Sequence, residues 1–585
     1  MFGFHGCYWR FDLTSGHGER RAIPEPILER YLGGVGLGSW LLYREAPTGV
    51  DPLAPEAPLV FAFSPLVGTP LTTSAKFAVV AKSPLTGMLC DALSSSSFAI
   101  AGKAMGVDAI VLVGRCSEPS VLVDGALQPT SLWGSSAAEV TEALREHGSV
   151  ASFGVAGENG VRFATLSNEG RHAGRGGLGA VMGAKRLKAL VVRGDAPTGL
   201  ASPARVRELA RDLAQRSRGP ATAKYRERGT VDNLLAFERV GALPTYNFRG
   251  GPVEGIERLD ADRLRGEGTH ERGSCAACTI GCEHRFASGT GEAVRVEYES
   301  LFALGPLCGI SDPDVVLEAA RRCDALGLDT LSAGGTIGFA MECAERGWLP
   351  NAPHFGDGAG LLGLLDDIAH RRGLGAILAE GSRRAAPLIH PDAIRLAPQV
   401  KGLELPGYEP RALQTMALGL SVGTRGADHN RSGAYELDFS DRVDRLHGDE
   451  RAARLATGPE DRAALIDSLV LCKFLRGVFG DLEAESAELL HAVTGLEFDA
   501  DTLRSVARRI VELRKVFNVR EGWMPDDDVL PERILSEPIV GGPVAGARLD
   551  RERLAAMVRA YNRERGWSDD GYPLATTRGD LYIDG

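Results

Sequence analysis

ALVVRGDAPTGLASPARVRELARDLAQRS (Ala189–Ser217) contains the point at which the pattern of the chain changes. Ala189–Arg193 is an apolar, β-branched run of strand length closed by Gly194, and the residues from Ala201 onward have helical spacing. Ser202 stands where an N-cap belongs and Pro203 at the first helical position, so a capped helix is expected to begin there. Upstream, Pro58–Ser64 (PLVFAFS), Phe77–Lys82 (FAVVAK), Ala109–Gly114 (AIVLVG) and Val161–Leu166 (VRFATL) read as further short strands separated by Gly, Pro and Ser. Downstream, Asp314–Leu326, Leu361–Arg371, Glu460–Phe474 and Ala500–Val519 carry apolar residues at three- and four-residue spacing. Strands and helices are segregated along the chain rather than alternating. The fold class this predicts is α+β, with a β-sheet-rich N-terminal domain over residues 1–200 and a mainly α-helical remainder.

A chain of 585 residues is long enough for several domains that each bury a core. With 44% hydrophobic and 24% charged residues the composition is that of a soluble globular protein, which excludes the disordered, collagenous and membrane classes. The net charge is −11 and no Lys/Arg cluster stands out, so no nucleic-acid partner is expected. The start, MFGFHGCYWRFDLTSG, lacks an apolar signal core and no run of about 18 apolar residues occurs, so a cytoplasmic protein without membrane contact is expected. The outlier is glycine, 73 residues without a repeat period, which marks many places where backbone turns sharply or lies against a ligand.

Three of the ten cysteines fall in one short loop, Cys275-Ala-Ala-Cys278-Thr-Ile-Gly-Cys282. Thiolates at these spacings converge on one centre and leave a fourth ligand to come from elsewhere, which suits an iron–sulfur cluster; His284, two residues on, keeps zinc open. Cys308, Cys323, Cys343 and Cys472 are the candidates for the fourth position, and spacing does not choose among them. Gly174-Arg175-Gly176-Gly177-Leu178-Gly179 matches GxGxxG, but the strand before it is read to end near Leu166 and the helical segment Leu178–Leu187 is too short for a dinucleotide-binding crossover. Exposed loop N–H groups and Arg175 still favour an anion there. Gly33-Gly34-Val35-Gly36-Leu37-Gly38 is a second such run, and both also fit tight packing turns. Two acidic hexads, Asp324–Asp329 (DALGLD) and Asp467–Cys472 (DSLVLC), each end a helical pattern; either is also compatible with an ordinary capping turn.

Taken together these segments resemble the tungsten-containing aldehyde:ferredoxin oxidoreductases over nearly the whole chain. The supporting stretches, in order, are RYLGGVGLGSW, PLTTSAKFAVVAKSPLTG, AGRGGLGAVMGAKRLKALVV, CAACTIGC, EYESLFALGPLCGISD, CDALGLDTLSAGG, LAEGSRRAA, VKGLELPGYEPRA, TRGADH, LCKF and FNVREGWMPDDDVLPERIL. The resemblance implies a β-sheet base for a bis-pterin tungsten (or molybdenum) cofactor, covered by two helical domains over 201–412 and 413–585. It implies a 4Fe-4S cluster on Cys275, Cys278, Cys282 and Cys472, and pterin contacts from Asp324, Gly327, Leu328, Asp329, Asp467, Leu471 and Cys472. Gly174, Arg175, Gly176 and Gly177 would serve the pterin phosphates, bridged by magnesium on the carbonyls of about Leu93 and Ala173. Lys76, in TSAK, replaces the family's Arg, so a point charge stands in for a bidentate fork. Val470 stands where the second pterin motif usually has Gly; a branched residue disfavours positive φ, so a different backbone approach is expected there.

The resemblance further implies that Glu299, with Glu297 as second choice, and His429 flank the reacting centre. Glu318 and His370 match positions that bind a metal between subunits in some members, which would make a homodimer. The activity implied is oxidation of an aldehyde to the carboxylic acid, with electrons leaving through the cluster to ferredoxin or a similar carrier. The competing expectations are a reductase of an acid or aromatic CoA thioester, an enzyme acting on a sugar phosphate on the same scaffold, and an iron–sulfur electron-transfer protein that has lost the pterin. The glycines at 33–38 and 174–179, Gly327 and Gly426 are then read as a mould for a large flat cofactor.

Overall fold

The computed structural model describes residues 1–266, 270–289, 291–574 and 581. The first two hundred residues form two six-stranded sheets. One contains β1 (Cys7–Asp12), β2 (His17–Ala22), β3 (Leu59–Ala62), β4 (Lys76–Lys82), β5 (Leu89–Ser95) and β6 (Ala109–Val113) in the order β2-β1-β6-β3-β4-β5. The other contains β7 (Ser120–Val123), β8 (Ala126–Pro129), β9 (Ser149–Ser152), β10 (Leu166–Asn168), β11 (Arg171–Ala173) and β12 (Leu187–Val192) in the order β11-β10-β9-β12-β7-β8. Only β1 with β6 and β7 with β12 pair in parallel.

The apolar runs read as strands are continuous rather than alternating because the first sheet is covered on both faces. Leu59, Phe61, Val79 and Ile110 point into a core shared with Leu122 and Leu190 of the second sheet and with Phe153 just past β9. Their neighbours Val60, Val80 and Val111 point the other way, into the large core that also holds Trp40, Ile466 and Ile510 of the helices. The remainder is helical, including Pro203–Arg216, Pro313–Leu326, Gly358–His370, Thr457–Leu469 and Ala500–Arg520. The chain is thus a β-sheet-rich N-terminal domain followed by helical domains.

Several local expectations are corrected. Val161–Ala164 is not strand; it turns and packs with its apolar side chains buried, and the strand begins at Leu166. The hairpin partner β11, three residues long, lies directly before Gly174, so the glycine loop does follow a strand, though an antiparallel one. The helix expected over Glu460–Phe474 ends at Leu469. Ser202 is the N-cap residue of its helix but makes no side-chain capping bond. Helices also lie between strands of the N-terminal domain, such as Gly34–Glu45, Ser97–Lys103 and Leu178–Ala184, so segregation holds between domains and not within the first. The helical part carries a small sheet, β13 (His270–Gly273), β14 (Glu283–Ala287) and β15 (Ala293–Arg295), whose polar strands have no readable period.

Candidate active site

The cysteine loop Cys275–Cys282 joins β13 to β14. The loop before β4 is laced to it: Thr73 N donates to the Ala277 carbonyl at 2.6 Å, and Thr72 Oγ1 lies 2.6 Å from Thr279 Oγ1. Cys472 reaches the same place, its N–H donating to Thr73 Oγ1 at 3.2 Å. All four of these cysteines are half-buried, whereas Cys308, Cys323 and Cys343 are buried in the helical core. Burial pushes the Cys282 thiol well up, and the nearby charges of Glu297 and then of Cys472, Cys275 and Cys278 add to the shift. The ring nitrogens of His284 are engaged elsewhere, with His270 at 2.7 Å and the Tyr225 carbonyl at 3.2 Å. Among the described residues no three His, Cys, Asp or Glu side chains close around a single ion. With His284 engaged, the ligands on offer at this loop are thiols, a donor set that suits an iron–sulfur cluster.

Beside Cys472 opens a cavity of about 320 Å³ lined by Lys76, Leu93, Gly174, Arg175, Arg425, Arg431 and Lys473, with Asp428 the one carboxylate. Burial alone would raise Asp428, but Arg425, Arg431 and Arg175 outweigh it and hold the carboxyl well below the usual range. Arg425 Nε is buried with no hydrogen-bond partner. A cation-rich cavity with a guanidinium N–H to spare fits an anionic ligand such as phosphate. Ala173 is buried at the end of β11, next to Gly174. A cavity of about 140 Å³ on the other side of Gly174 is lined by His172, Arg295, Glu297, Asp324, Leu328 and Asp329. Gly176 and Gly177 serve packing, lying against Cys90 Sγ and the Arg162 carbonyl. The run Gly33–Gly38 lines neither cavity: a Cβ on Gly36 would meet the Tyr31 carbonyl at 2.2 Å, so its glycines seat the helix Gly34–Glu45 against its neighbours.

Both hexads are tied to the loop that bears His429. Arg175 donates to the Ala427 carbonyl at 2.8 Å and pairs with Asp329 at 3.4 Å. Arg431 pairs with Asp467 at 3.0 Å and with Asp91. Val470 adopts φ 53°, against expectation.

Between them, His429 Nδ1 stands 3.4 Å from Glu299 Oε1, and neither atom has a hydrogen-bond partner. Asn430 Nδ2 donates to His429 Nε2 at 2.9 Å, so the neutral ring carries its proton on Nδ1, facing Glu299. Burial lowers His429 to about 3, with Asp428 opposing. Burial raises Glu299 to about 7 against the Gly407 N–H, which donates to its other oxygen at 2.9 Å, and against Arg175. Glu299 keeps a fifth of its side chain open, into a cavity of about 280 Å³ walled by Tyr225, Phe237, Tyr298, Tyr408, Tyr435, Phe439 and Phe474. Glu297 lines this cavity too, accepts from Thr230 Oγ1 and lies 3.6 Å from Arg295.

Family models described as "Aldehyde ferredoxin oxidoreductase, N-terminal domain" and "Aldehyde ferredoxin oxidoreductase, domains 2 & 3" match residues 8–194 and 207–583. The chain belongs to the aldehyde ferredoxin oxidoreductase family. It is 34% identical to the tungsten-containing aldehyde ferredoxin oxidoreductase of Pyrococcus abyssi and 35% identical to that of Pyrococcus furiosus, in each case over 98% of this chain and 97% of the relative. The relatives are oxidoreductases, and so is this protein. In fold it is similar to the active site complex BamBC of benzoyl coenzyme A reductase in complex with 1,5-dienoyl-CoA, with a TM-score of 0.83 at 23% identity, covering 100% of this chain and 97% of that one.

Not every expected site residue joins this constellation. Glu318 spends both oxygens on Arg321 and Arg322, whose hydrogen bonds, Arg321 first, lower it to about 2. His370 Nδ1 donates to the Asp366 carbonyl at 2.8 Å. Conversely, the aromatic wall, Asn430, Arg425, Arg431 and Asp91 were not singled out from sequence. Tyr408 and the two arginines lie in or beside the PGYEP and TRGADH stretches, which is the signal that could have found them; Asp91 lies in an unremarkable strand. Among the described residues no helix is long and apolar enough to cross a membrane.

Proposed function

We propose that the chain oxidises an aldehyde to the carboxylic acid at a tungsten or molybdenum bis-pterin, and that two electrons leave through a 4Fe-4S cluster on Cys275, Cys278, Cys282 and Cys472 to ferredoxin or a similar carrier. The observation that carries the reading is the Glu299–His429 pair, 3.4 Å apart and set between an aromatic cavity and a cation-lined one, with the imidazole neutral and the carboxyl raised to about 7. Lys76, Arg175, Arg425 and Arg431 would hold the pterin phosphates, with magnesium on the Leu93 and Ala173 carbonyls, and the two hexads would grip the pterins. When bound, the cofactor supplies the oxygen-atom and hydride chemistry and takes up the two electrons. The aromatic wall holds the substrate and excludes bulk water. His429 presents its Nδ1–H to the carbonyl oxygen, and Glu299 takes the proton of the incoming water, with Glu297 next in line.

A base of this kind works only as the carboxylate, so kcat is expected to rise with pH through about 7. Glu299→Gln is expected to lower kcat by roughly 10²–10⁴-fold while metal and pterin content stay at the wild-type level. The same burial makes the charged form a cost to folding. The proton is held up to about 7 in the fold against 4.5 as the ordinary value, so this contribution is complete below about 4.5 and is lost as pH rises through about 7. Above pH 7, Glu299→Gln is therefore expected to be the more stable protein in chemical denaturation, by on the order of 2 kcal/mol. The deciding experiment is anaerobic expression with tungstate or molybdate, followed by metal and pterin analysis and aldehyde-dependent viologen reduction. A preparation that holds metal and pterin yet never reduces viologen with an aldehyde, and instead oxidises reduced viologen with an aromatic CoA thioester as the acceptor, would overturn the reading.

A further inference from the structure

The chain's net charge is −11, yet residues 216–228 and 270–285 together carry seven Arg or Lys against three Glu. These two segments meet over the cysteine loop. Ser217 Oγ lies 2.6 Å from Thr279 Oγ1, and Arg272 Nε donates to the Gly281 carbonyl at 3.0 Å. Gly477, a little beyond Cys472, faces Ala221.

Several cations of this face are not paired with a carboxylate. Arg216, Arg228 and Arg285 pair with Glu485, Asp232 and Glu283. Among the described residues, exposed Arg218 has no side-chain partner. Half-buried Arg226 donates to the Gly219 carbonyl, its Nε is buried, and it has no carboxylate partner among the described residues. Exposed Arg272 donates only to the carbonyls of Gly281 and Ile280. Exposed Glu227 and Glu271 are the carboxylates interspersed among them. The loop they frame is itself near solvent: Ala277 is exposed, and Cys275 and Cys278 are half-buried.

We infer that this face is the docking surface for an acidic electron-carrier protein, with the guanidinium groups of Arg218, Arg226 and Arg272 receiving carboxylates of the carrier over the Cys275–Cys282 loop. The inference rests on the proposed function and adds where the electrons leave and to what kind of surface. Aldehyde oxidation with water releases two electrons and two protons, so two one-electron carriers dock in turn and each leaves reduced by one electron. An acidic carrier is repelled by most of a chain charged −11. Exposed guanidinium groups beside the Cys275–Cys282 loop therefore orient the encounter as well as strengthen it.

The test uses the holoenzyme and a purified acidic bacterial-type ferredoxin. In the double variant Arg218→Glu/Arg226→Glu the second-order rate of ferredoxin reduction at low salt is expected to fall about 10-fold or more, and the difference from wild type to vanish in high salt. Aldehyde-dependent viologen reduction should change less than two-fold, since a small dye needs no docking face. Calorimetric titration of oxidised enzyme with oxidised ferredoxin should show the same loss, and Arg218→Lys/Arg226→Lys should bind as wild type does. Unchanged ferredoxin binding in the double variant overturns the inference, as does a parallel fall in viologen reduction. If the wild type fails to bind ferredoxin but still reduces viologen with an aldehyde, the docking surface is wrong and the proposed function stands; if it reduces neither acceptor with any aldehyde, the proposed function fails.

Discussion

The two acidic hexads have the same backbone and opposite surroundings. In the first, Leu328 N donates to the Cys323 carbonyl at 2.8 Å behind Gly327 at φ 79°; in the second, Leu471 N donates to the Ile466 carbonyl at 3.0 Å behind Val470 at φ 53°. Each is the turn that ends a helix, with the hexad's fourth residue left-handed just past the helix end. The side chains then diverge. Asp324 is 47% exposed and, among the described residues, pairs with His172 at 3.4 Å, while Asp467 is fully buried between Arg431 at 3.0 Å and Lys473 at 3.4 Å. The first hexad ends in Asp329, which caps the helix Thr330–Glu345, and the second ends in Cys472 beside the cysteine loop. A repeated turn thus supplies a repeated backbone shape, and the residues hung on it decide that one copy faces an open cleft and the other is locked into the charged interior.

The largest difference expected between the two copies is in metal. Cys472→Ser should cost the protein most of its iron, whereas Cys323→Ser, the thiol next to the first hexad, should leave iron per chain at the wild-type level; equal iron in both variants would break the assignment. Stability separates the copies next. Asp467→Asn leaves buried Arg431 and Lys473 short of a counter-charge and is expected to cost about 3 kcal/mol. Asp324→Asn removes one contact at a half-exposed site and should cost less than about 1 kcal/mol. Denaturant titration of the metal-free proteins measures both, and similar midpoints would mean that the buried network contributes nothing.

How much of this was legible in the sequence depends on whether a feature is local. The three-cysteine loop, the hexads as helix ends and the apolar strands such as Ala109–Val113 are set by neighbours in the chain, and their spacing or composition shows it. The polar strands β13 to β15, which carry the cysteine loop, show no alternation, and Arg171–Ala173 is too short to have a period. Asp91 meets Arg431 and Arg514 from far along the chain, and nothing near it in sequence announces a buried triad. The glycines misled in a different way. A glycine needed for a close helix contact, as at Gly36, and one that opens onto a cavity, as at Gly174, look identical until the packing is known.

Val470 shows the same limit from the other side, and its substitution is the smallest effect that still separates the copies. Branching at Cβ argued against positive φ, yet the residue is fully buried in the core between the sheets. A left-handed conformation costs a non-glycine residue about 1 kcal/mol or more, and burying a valine side chain returns about 2 kcal/mol, so packing outweighs the strain. Val470→Ala loses two methyl groups and keeps the strain. Val470→Gly loses one carbon more and sheds the strain. At an ordinary helix position glycine is less stable than alanine by about 1 kcal/mol. At Val470 the order should vanish or reverse, with Val470→Gly at least as stable as Val470→Ala in denaturant titration. At Gly327 the first copy should show the opposite sensitivity. There a Cβ would stand 2.8 Å from the Gly154 amide nitrogen at φ 79°, and Gly327→Ala should cost about 1 kcal/mol or more. A Val470→Gly protein clearly weaker than Val470→Ala would mean that the second turn bears no strain, and the two copies would then differ in side chains alone.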